Sequence, residues 1–253
     1  MSPDITIASP SWKRADRAIT HRYLPTVYVV AESQAEAYRA RDLPVWVCPD
    51  SAQGSTSRVR NWILDNTPTK QLLMVDDDLR DLGQWNGTAR RRMTGPEALE
   101  FIGHGFALAS EMGVRLWGLN PAAADKQAYR ESNPFSLAAF VGGPFTGFID
   151  CPLRYDERIP LKEDYDMTLQ VLNRYRRLLR FNMVHYFNDM HGLPGGCADM
   201  RNLEREKEQF ALLVKKWGTD IVRIDKGASH NKRRVREASY DLNPKLRIPI
   251  GGV

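Results

Sequence analysis

The chain has 253 residues, 42% of them hydrophobic and 26% charged, a balance that fits one α/β domain of ordinary to large size with room for a small appendage. No apolar run approaches the ~18 residues of a membrane helix, and residues 1–4 lack a charged segment leading into an apolar core, so a membrane span and a secretory leader are not expected. The formal charge of +5 is gathered in local clusters (Arg90-Arg91-Arg92, Arg174/Arg176/Arg177/Arg180, and Lys232-Arg233-Arg234 with Arg236), which favour polyanions such as nucleic acid, nucleotide-sugars or anionic lipid.

Ile5-Thr6-Ile7-Ala8 reads as a short strand running into the polar loop Ser9-Pro10-Ser11-Trp12-Lys13-Arg14. Residues 26–30 are mostly β-branched and predict a strand, residues 32–41 a helix, and residues 45–48 a strand again. Ser55 can cap a helix over 56–66, with Val59 and Ile63 on one face. After a turn at Pro68 comes Gln71-Leu72-Leu73-Met74-Val75, an apolar run suited to a strand buried on both faces, ending in Asp76-Asp77-Asp78. Thr94 and Glu97 have capping-box spacing with Pro96 just inside, and Leu99, Ile102, Phe106, Ala109 and Met112 keep helical period until Gly113. Strand and helix alternate three times, which predicts a parallel, doubly wound sheet.

The second half changes character. Residues 114–119, 136–141 and 145–149 read as strands, with Gly142, Gly143 and Gly147 loosening the turn between the last two. Residues 161–180 predict a helix with Tyr165, Leu169, Leu172, Tyr175 and Leu179 on its apolar side, followed by a strand over 183–187. Residues 192–196 form a glycine-rich loop. Residues 202–217 predict a helix with Leu203, Phe210, Leu213, Val214 and Trp217 inward. From residue 226 the chain is basic and polar, expected to be extended or disordered without a partner. The expected organisation is a main domain over residues 1–225 and a basic tail over 226–253. Cys48, Cys151 and Cys197 are odd in number and lack metal-ligand spacing, as expected of reduced thiols in a cytoplasmic protein.

The acidic triplet is the most informative feature. Adjacent carboxylates repel one another and are costly to desolvate, so a cation between them is a natural reason for the cluster. A strand end is also where an open α/β sheet places its ligands, and hard oxygen donors suit Mg²⁺ or Mn²⁺ shared with substrate phosphates. The bland alternative is a solvated acidic turn.

Four stretches carry a resemblance to GT-A-type glycosyltransferases, and it implies an α/β fold with a mostly parallel, helix-flanked sheet and a smaller mixed C-terminal sheet. Ser9, Pro10 and Ser11, with Arg14 after them, stand where such enzymes receive the nucleotide. Ser57-Arg58-Val59-Arg60-Asn61 stands on the helix before the metal strand, where the family keeps Arg and Asn near the nucleotide and its phosphates. Arg58 and Arg60 diverge on a helix, and Arg58 is the one favoured for a phosphate, together with Asn61. Val75-Asp76-Asp77-Asp78 takes the place of the DxD motif, with Asp76 and Asp78 on the metal and Asp77 turned toward ribose or sugar. Lys162-Glu163-Asp164 opens a late helix as the family's acidic pair does, with Asp164 as base. The first turn of a helix favours acidic residues in any case.

The match is closer to the small glycosyltransferases linked to TET/JBP-type base oxygenases in phage genomes. It rests on Ser57-Arg58-Val59-Arg60-Asn61-Trp62-Ile63-Leu64-Asp65-Asn66, on Met74-Val75-Asp76-Asp77-Asp78 and on Lys162-Glu163-Asp164-Tyr165-Asp166 with Leu169-Gln170, and spans about residues 5 to 220. It implies a UDP-linked nucleotide-sugar donor and a hydroxymethylated pyrimidine, 5-hydroxymethylcytosine, in DNA as acceptor, in the host cytoplasm. As a third metal ligand it implies a histidine of the second half: His191 first, then His185, with His230 a late alternative. Gly143, Phe145 and Thr146 would floor the acceptor site; Phe145 and Phe148 could stack on a base, with ordinary core packing the alternative and the favoured reading for Phe148. A base buried in a duplex would have to be flipped or single-stranded. The Arg90-Arg91-Arg92 loop, Arg91 above all, and Lys232, Arg233 and Arg234 of the tail would then hold phosphates.

Rival readings stay open here. A protein, lipid or saccharide acceptor would leave fold and metal site unchanged. A nucleotidyltransferase lacks its glycine-rich basic first loop, and a haloacid-dehalogenase-like phosphatase wants its Asp-x-Asp earlier. A degenerate, non-catalytic DNA binder would not be expected to keep Asp76, Asp78 and Asp164 together.

Overall fold

The alternation of strand and helix builds the first half of the molecule. A computed structural model describes residues 5–86, 89–121, 133–188, 202–224 and 244–248. Strands β1 (Ile5–Pro10), β2 (Val27–Ala31), β3 (Val45–Cys48) and β4 (Gln71–Val75) run parallel in the order β3-β2-β1-β4. Helices α1 (Ala35–Arg39) and α2 (Thr56–Asn66) supply two of the crossovers. Ser55 caps α2 as expected, its hydroxyl accepting the Arg58 N–H at 3.2 Å. The residues before Ala35 form a 3-10 turn, so α1 is shorter than expected.

The sheet then continues with mixed strands. These are β5 (Leu79–Asn86), β6 (Ala89–Arg92), β7 (Leu116–Asn120), β8 (Phe135–Ser136), β9 (Phe145–Ile149) and β10 (Leu179–Asn188). Their order after β4 is β9-β7-β10-β5-β6, with β8 on β10. β9 pairs antiparallel with both β4 and β7, and β10 lies parallel to β7. The mixed half is therefore fused to the parallel half in one sheet. Helices α3 (Gly95–Glu111), α4 (Glu163–Tyr175) and α5 (Leu203–Trp217) complete the helical layers. A separate antiparallel pair joins β11 (Val222–Ile224) to β12 (Pro244–Leu246), so part of the basic tail adds to the strand after α5. No described helix is long and apolar enough to cross a membrane.

The two-residue period of β4 divides the core. Leu73 and Val75 pack with Ile102, Phe106 and Trp117 on the α3 side, whereas Leu72 and Met74 pack with Ile63, Met167 and Val171 on the α2/α4 side. The α3 capping box forms as read: Glu97 accepts the Thr94 N–H at 2.8 Å, and Thr94 accepts the Glu97 N–H. Trp117 is fully buried, and a Cβ on Gly147 would stand 2.0 Å from its Nε1, so that glycine makes room for the indole.

Several boundaries differ from the sequence expectation. β5 and β6 form a hairpin where a basic loop was expected. Residues 137–141 leave the sheet, because the Val141 N–H goes to Thr168 Oγ1 and Phe140 stacks on Tyr165 at 4.1 Å, both on α4. α4 stops at Arg176, which turns left-handed (φ 63°), and Leu179 opens β10 instead of extending the helix. Leu203 is exposed, since α5 turns Leu213 inward and keeps its first residue at the surface. The 192–196 loop and most of the tail lie outside the described residues.

Candidate active site

β4 ends at Val75, and the next three carboxylates go to different places. The Asp76 N–H donates to Pro144 O at 3.2 Å, tying the triplet to the turn before β9. Asp77 turns back to the loop after β1, where Ser11 Oγ donates to it at 2.5 Å and Arg14 Nη1 at 3.0 Å. Ser11 also bonds the Tyr38 hydroxyl at 2.7 Å. Asp78 is buried with a carboxylate only 3.7 Å from Arg14, and its Oδ1 has no hydrogen-bond partner among the described residues. Burial first, then the charges of Asp76 and Asp77, push its pKa up to about 7. Asp76 keeps a third of its side chain exposed while it meets Arg60 and Asn188. Among the described residues no third His, Cys, Asp or Glu joins Asp76 and Asp78, because Asp77 is used by Ser11 and Arg14.

A second acidic pair faces this one across a buried guanidinium. Arg60 of α2 donates to Asp76 at 3.3 Å, to Glu163 at 3.0 Å and to Gly143 O at 3.2 Å. Its plane lies 5.6 Å from the Tyr155 ring centroid. Burial opposes its charge, but Tyr155, Glu163, Asp76 and Asp164 together push its pKa above the ordinary arginine value. Glu163 is buried, and burial lifts its pKa to about 7 against the pull of Arg60. Asp164 is half-buried and takes only backbone donors, Gly143 N–H at 3.2 Å and Tyr165 N–H at 2.8 Å. Burial raises its pKa too. Of the two acids, Glu163 is held in the Arg60 ion pair, whereas Asp164 accepts backbone N–H groups.

The sequence profile of the TET-associated glycosyltransferases matches residues 5–192. The chain belongs to that family. Among curated proteins none matches it in sequence. Solved structures share its fold at low identity. Glucosyl-3-phosphoglycerate synthase from Mycobacterium tuberculosis, crystallised with Mn²⁺, UDP-glucose and phosphoglyceric acid, superposes with a TM-score of 0.53 at 10% identity over 89% of this chain and 84% of that one. The mannosyltransferase PcManGT from Pyrobaculum calidifontis, in complex with GDP-mannose and Mn²⁺, gives 0.52 at 12% identity over 85% and 65%. S. aureus TarS gives 0.48 at 13% identity over 83% of this chain, which spans 65% of the TarS fragment.

The other residues read from the sequence of this TET-associated glycosyltransferase fall into three groups. Ser9, Pro10, Ser11 and Arg14 do come to the acidic triplet by way of β1, although Ser9 is fully buried. Arg58 and Asn61 do not. Arg58 points to the surface and pairs with Glu157 at 3.4 Å, while Asn61 clamps residues 155–157 by accepting the Tyr155 N–H at 2.7 Å and donating to Tyr155 O at 3.0 Å. Arg60 takes the place expected of Arg58. Its signal was present in the sequence: it stands three and four residues before Ile63 and Leu64, on the buried face of α2.

The acceptor floor is a correction. Phe145 and Phe148 are core residues, 0% and 1% exposed, each contributing about 1.5–3 kcal/mol of burial instead of offering a ring to a base. Thr146 is buried and its hydroxyl donates to Gly142 O at 3.0 Å. Gly143 does border the site, but a Cβ there would meet Arg60 Nη1 at 2.6 Å, so the glycine accommodates the protein's own guanidinium. Arg91 lies on a strand and pairs with Glu97, and Arg90 and Arg92 neutralise the buried Asp81. His185 is fully buried, and its Nε2 accepts from Arg90 at 2.7 Å, which removes it as a metal ligand. Burial and the Arg90 charge lower its pKa to about 4. His191, His230, Lys232, Arg233 and Arg234 lie outside the described residues.

Proposed function

We propose that this chain transfers a sugar from a nucleotide-sugar, UDP-linked, to the hydroxyl of a hydroxymethylated pyrimidine in DNA, 5-hydroxymethylcytosine, with Mn²⁺ or Mg²⁺ as cofactor. One observation supports this above the others. The buried Asp78 carboxylate keeps a partnerless oxygen beside Asp76, and Arg60 joins that pair to the Glu163–Asp164 acids. Such a carboxylate fits a hard cation, and the neutral acid it would otherwise become does not.

Asp76 and Asp78 would hold the ion, with His191 as the third ligand. His191 follows Asn188 by three residues, and Asn188 Nδ2 stands 3.4 Å from Asp76 Oδ2. Three residues reach about 10 Å, enough to return to the triplet. When bound, the ion supplies positive charge opposite a departing diphosphate, worth several kcal/mol in a site closed to water. The loop after β1, whose Ser11 and Arg14 bond Asp77, would receive the nucleotide. Asp164 takes the proton of the acceptor hydroxyl as its oxygen bonds to the anomeric carbon and the bond to the diphosphate breaks. Burial raises its pKa above the ordinary carboxylate value, which makes it a stronger base. Glu163, tied to Arg60, steadies the helix start on which Asp164 stands. The basic tail, with Lys232, Arg233 and Arg234, and the rim strand with Arg91 would meet DNA phosphates.

A panel of nucleotide-sugars is to be tested with hydroxymethylated DNA, plain DNA and proteins of a host lysate, followed by mass spectrometry of the digested nucleosides. Glycosylated hydroxymethylcytosine, formed only with a divalent ion, is the expected product. Sugar incorporated into the protein fraction alone rejects the DNA acceptor.

A further inference from the structure

The edge of the sheet that carries the acidic triplet extends past it to an aromatic surface. β10 runs in the same direction as β4, since two antiparallel steps through β9 and β7 are followed by a parallel one. Its last residues therefore arrive at the same edge as Asp76, and the Asn188–Asp76 contact fixes this. Phe187, one residue earlier, alternates to the other face of β10, the face of His185 and Asp81, and is 43% exposed. Isolated exposed apolar side chains are ordinary, but this one is not isolated. The Arg90 guanidinium lies 5.6 Å from its ring centroid. Arg90 cannot swing away freely, because Asp81 holds it at 2.5 Å and His185 Nε2 accepts from its Nε at 2.7 Å. Arg91 and Arg92 stand beside it on β6, both more than half exposed, so three guanidinium groups face the two carboxylates of Asp81 and Glu97.

A preorganised ring with a fixed guanidinium over it, on a net positive rim at the sheet edge where β10 ends, matches what a nucleobase needs. Every base offers a flat face to an aromatic ring and to an arginine plane, whatever its sequence. The donor side, at β1 and β2, lies across the triplet from this rim. We propose that Phe187 and Arg90 form a stacking platform at this sheet edge for an unpaired base of the acceptor strand that flanks the base being modified. The inference rests on the DNA-acceptor reading. It assigns to Phe187 the part that Phe145 and Phe148, both in the core, cannot play.

The test compares wild type, Phe187→Ala and Phe187→Trp for binding a fluorescein-labelled single-stranded thymidine oligonucleotide, with UDP-sugar hydrolysis in the absence of acceptor as an independent readout. Phe187→Ala is expected to weaken binding about tenfold, within the roughly 5- to 100-fold range of one lost base–aromatic stack. The slope of affinity against salt should not change, because no phosphate contact is removed. Phe187→Trp should bind at least as well as wild type, and donor hydrolysis should be equal in all three. If wild type binds and Phe187→Ala binds equally well, the platform is wrong and the DNA reading stands. If wild type hydrolyses the donor yet binds no oligonucleotide, the DNA reading fails and the platform fails with it.

Discussion

Arg60 carries its charge where burial works against it, between carboxylates that would otherwise repel one another. Removing one partner of such a cluster leaves the others buried and uncompensated. Arg60→Met is therefore expected to cost about 3–5 kcal/mol in urea denaturation. Arg60→Lys should recover only part of the loss, since an ammonium cannot span Asp76, Glu163 and the Gly143 carbonyl as a planar fork does. Asp78 should behave in the opposite way. Its folded pKa of about 7 lies above its unfolded value, so the folded state holds the proton more tightly, and stability without metal falls as pH rises from about 4 to about 7. Asp78→Asn should raise the melting temperature of chelator-treated protein at pH 7.5, with the gain shrinking toward pH 4.5, while transfer activity is lost. At this scale the acids stood out in the sequence because crowded carboxylates repel one another. The reading favoured Arg58 over Arg60, although only Arg60 shares the buried face of α2 with Ile63 and Leu64.

The acids work as a set because of the elements behind them. Lys162 and Glu206 form a fully buried ion pair at 2.6 Å, tying the start of α4 to α5. Asp166, one turn on, takes Trp217 Nε1 at 2.8 Å and Lys216 at 2.8 Å from the other end of α5. α5 lies beyond residue 192, where the family match ends, yet it braces the helix that presents Asp164. Lys162→Met should destabilise the protein by about 3–5 kcal/mol, because it takes a cation from the buried Glu206 carboxylate, and Lys162→Met with Glu206→Leu should restore most of that, measured by urea unfolding. Capped helices and the buried β4 were legible from local pattern, as Ser55 and the Thr94–Glu97 box illustrate. The β5–β6 hairpin was not read, although Asn86-Gly87 is a hairpin signal. Its arginine run looked like a loop because its partners, Asp81 on β5 and Glu97 on α3, become visible only once the strands pair. Phe145 misled for a related reason, whereas Phe148 is in the core as favoured. Glycine neighbours suggest an open floor, whereas here they make room for Trp117 and Arg60.

Across the whole molecule one continuous sheet sets β1 and β2 on one side of β4, whose end carries Asp76 and Asp78, and β10, β5 and β6 on the other. The alternation of the first half was enough to predict the parallel strands, since each crossover is local. The mixed half depends on pairings between distant segments, such as β4 with β9, and these leave no short-range mark. Neutralising Lys232, Arg233 and Arg234 to glutamine should weaken DNA binding and lower the slope of log affinity against log salt by about 2–3, while leaving donor hydrolysis unchanged. An unaltered slope would place the tail away from DNA. The most direct test of the central claim is calorimetric titration of Mn²⁺ into the protein in the presence of UDP, for wild type and for Asp78→Ala. The expected result is a single Mn²⁺ site in wild type that disappears in the variant, with the fold intact by circular dichroism. Equal Mn²⁺ affinity in the two proteins would contradict the assignment of Asp78 to the metal, and with it the chemistry built on the acidic triplet.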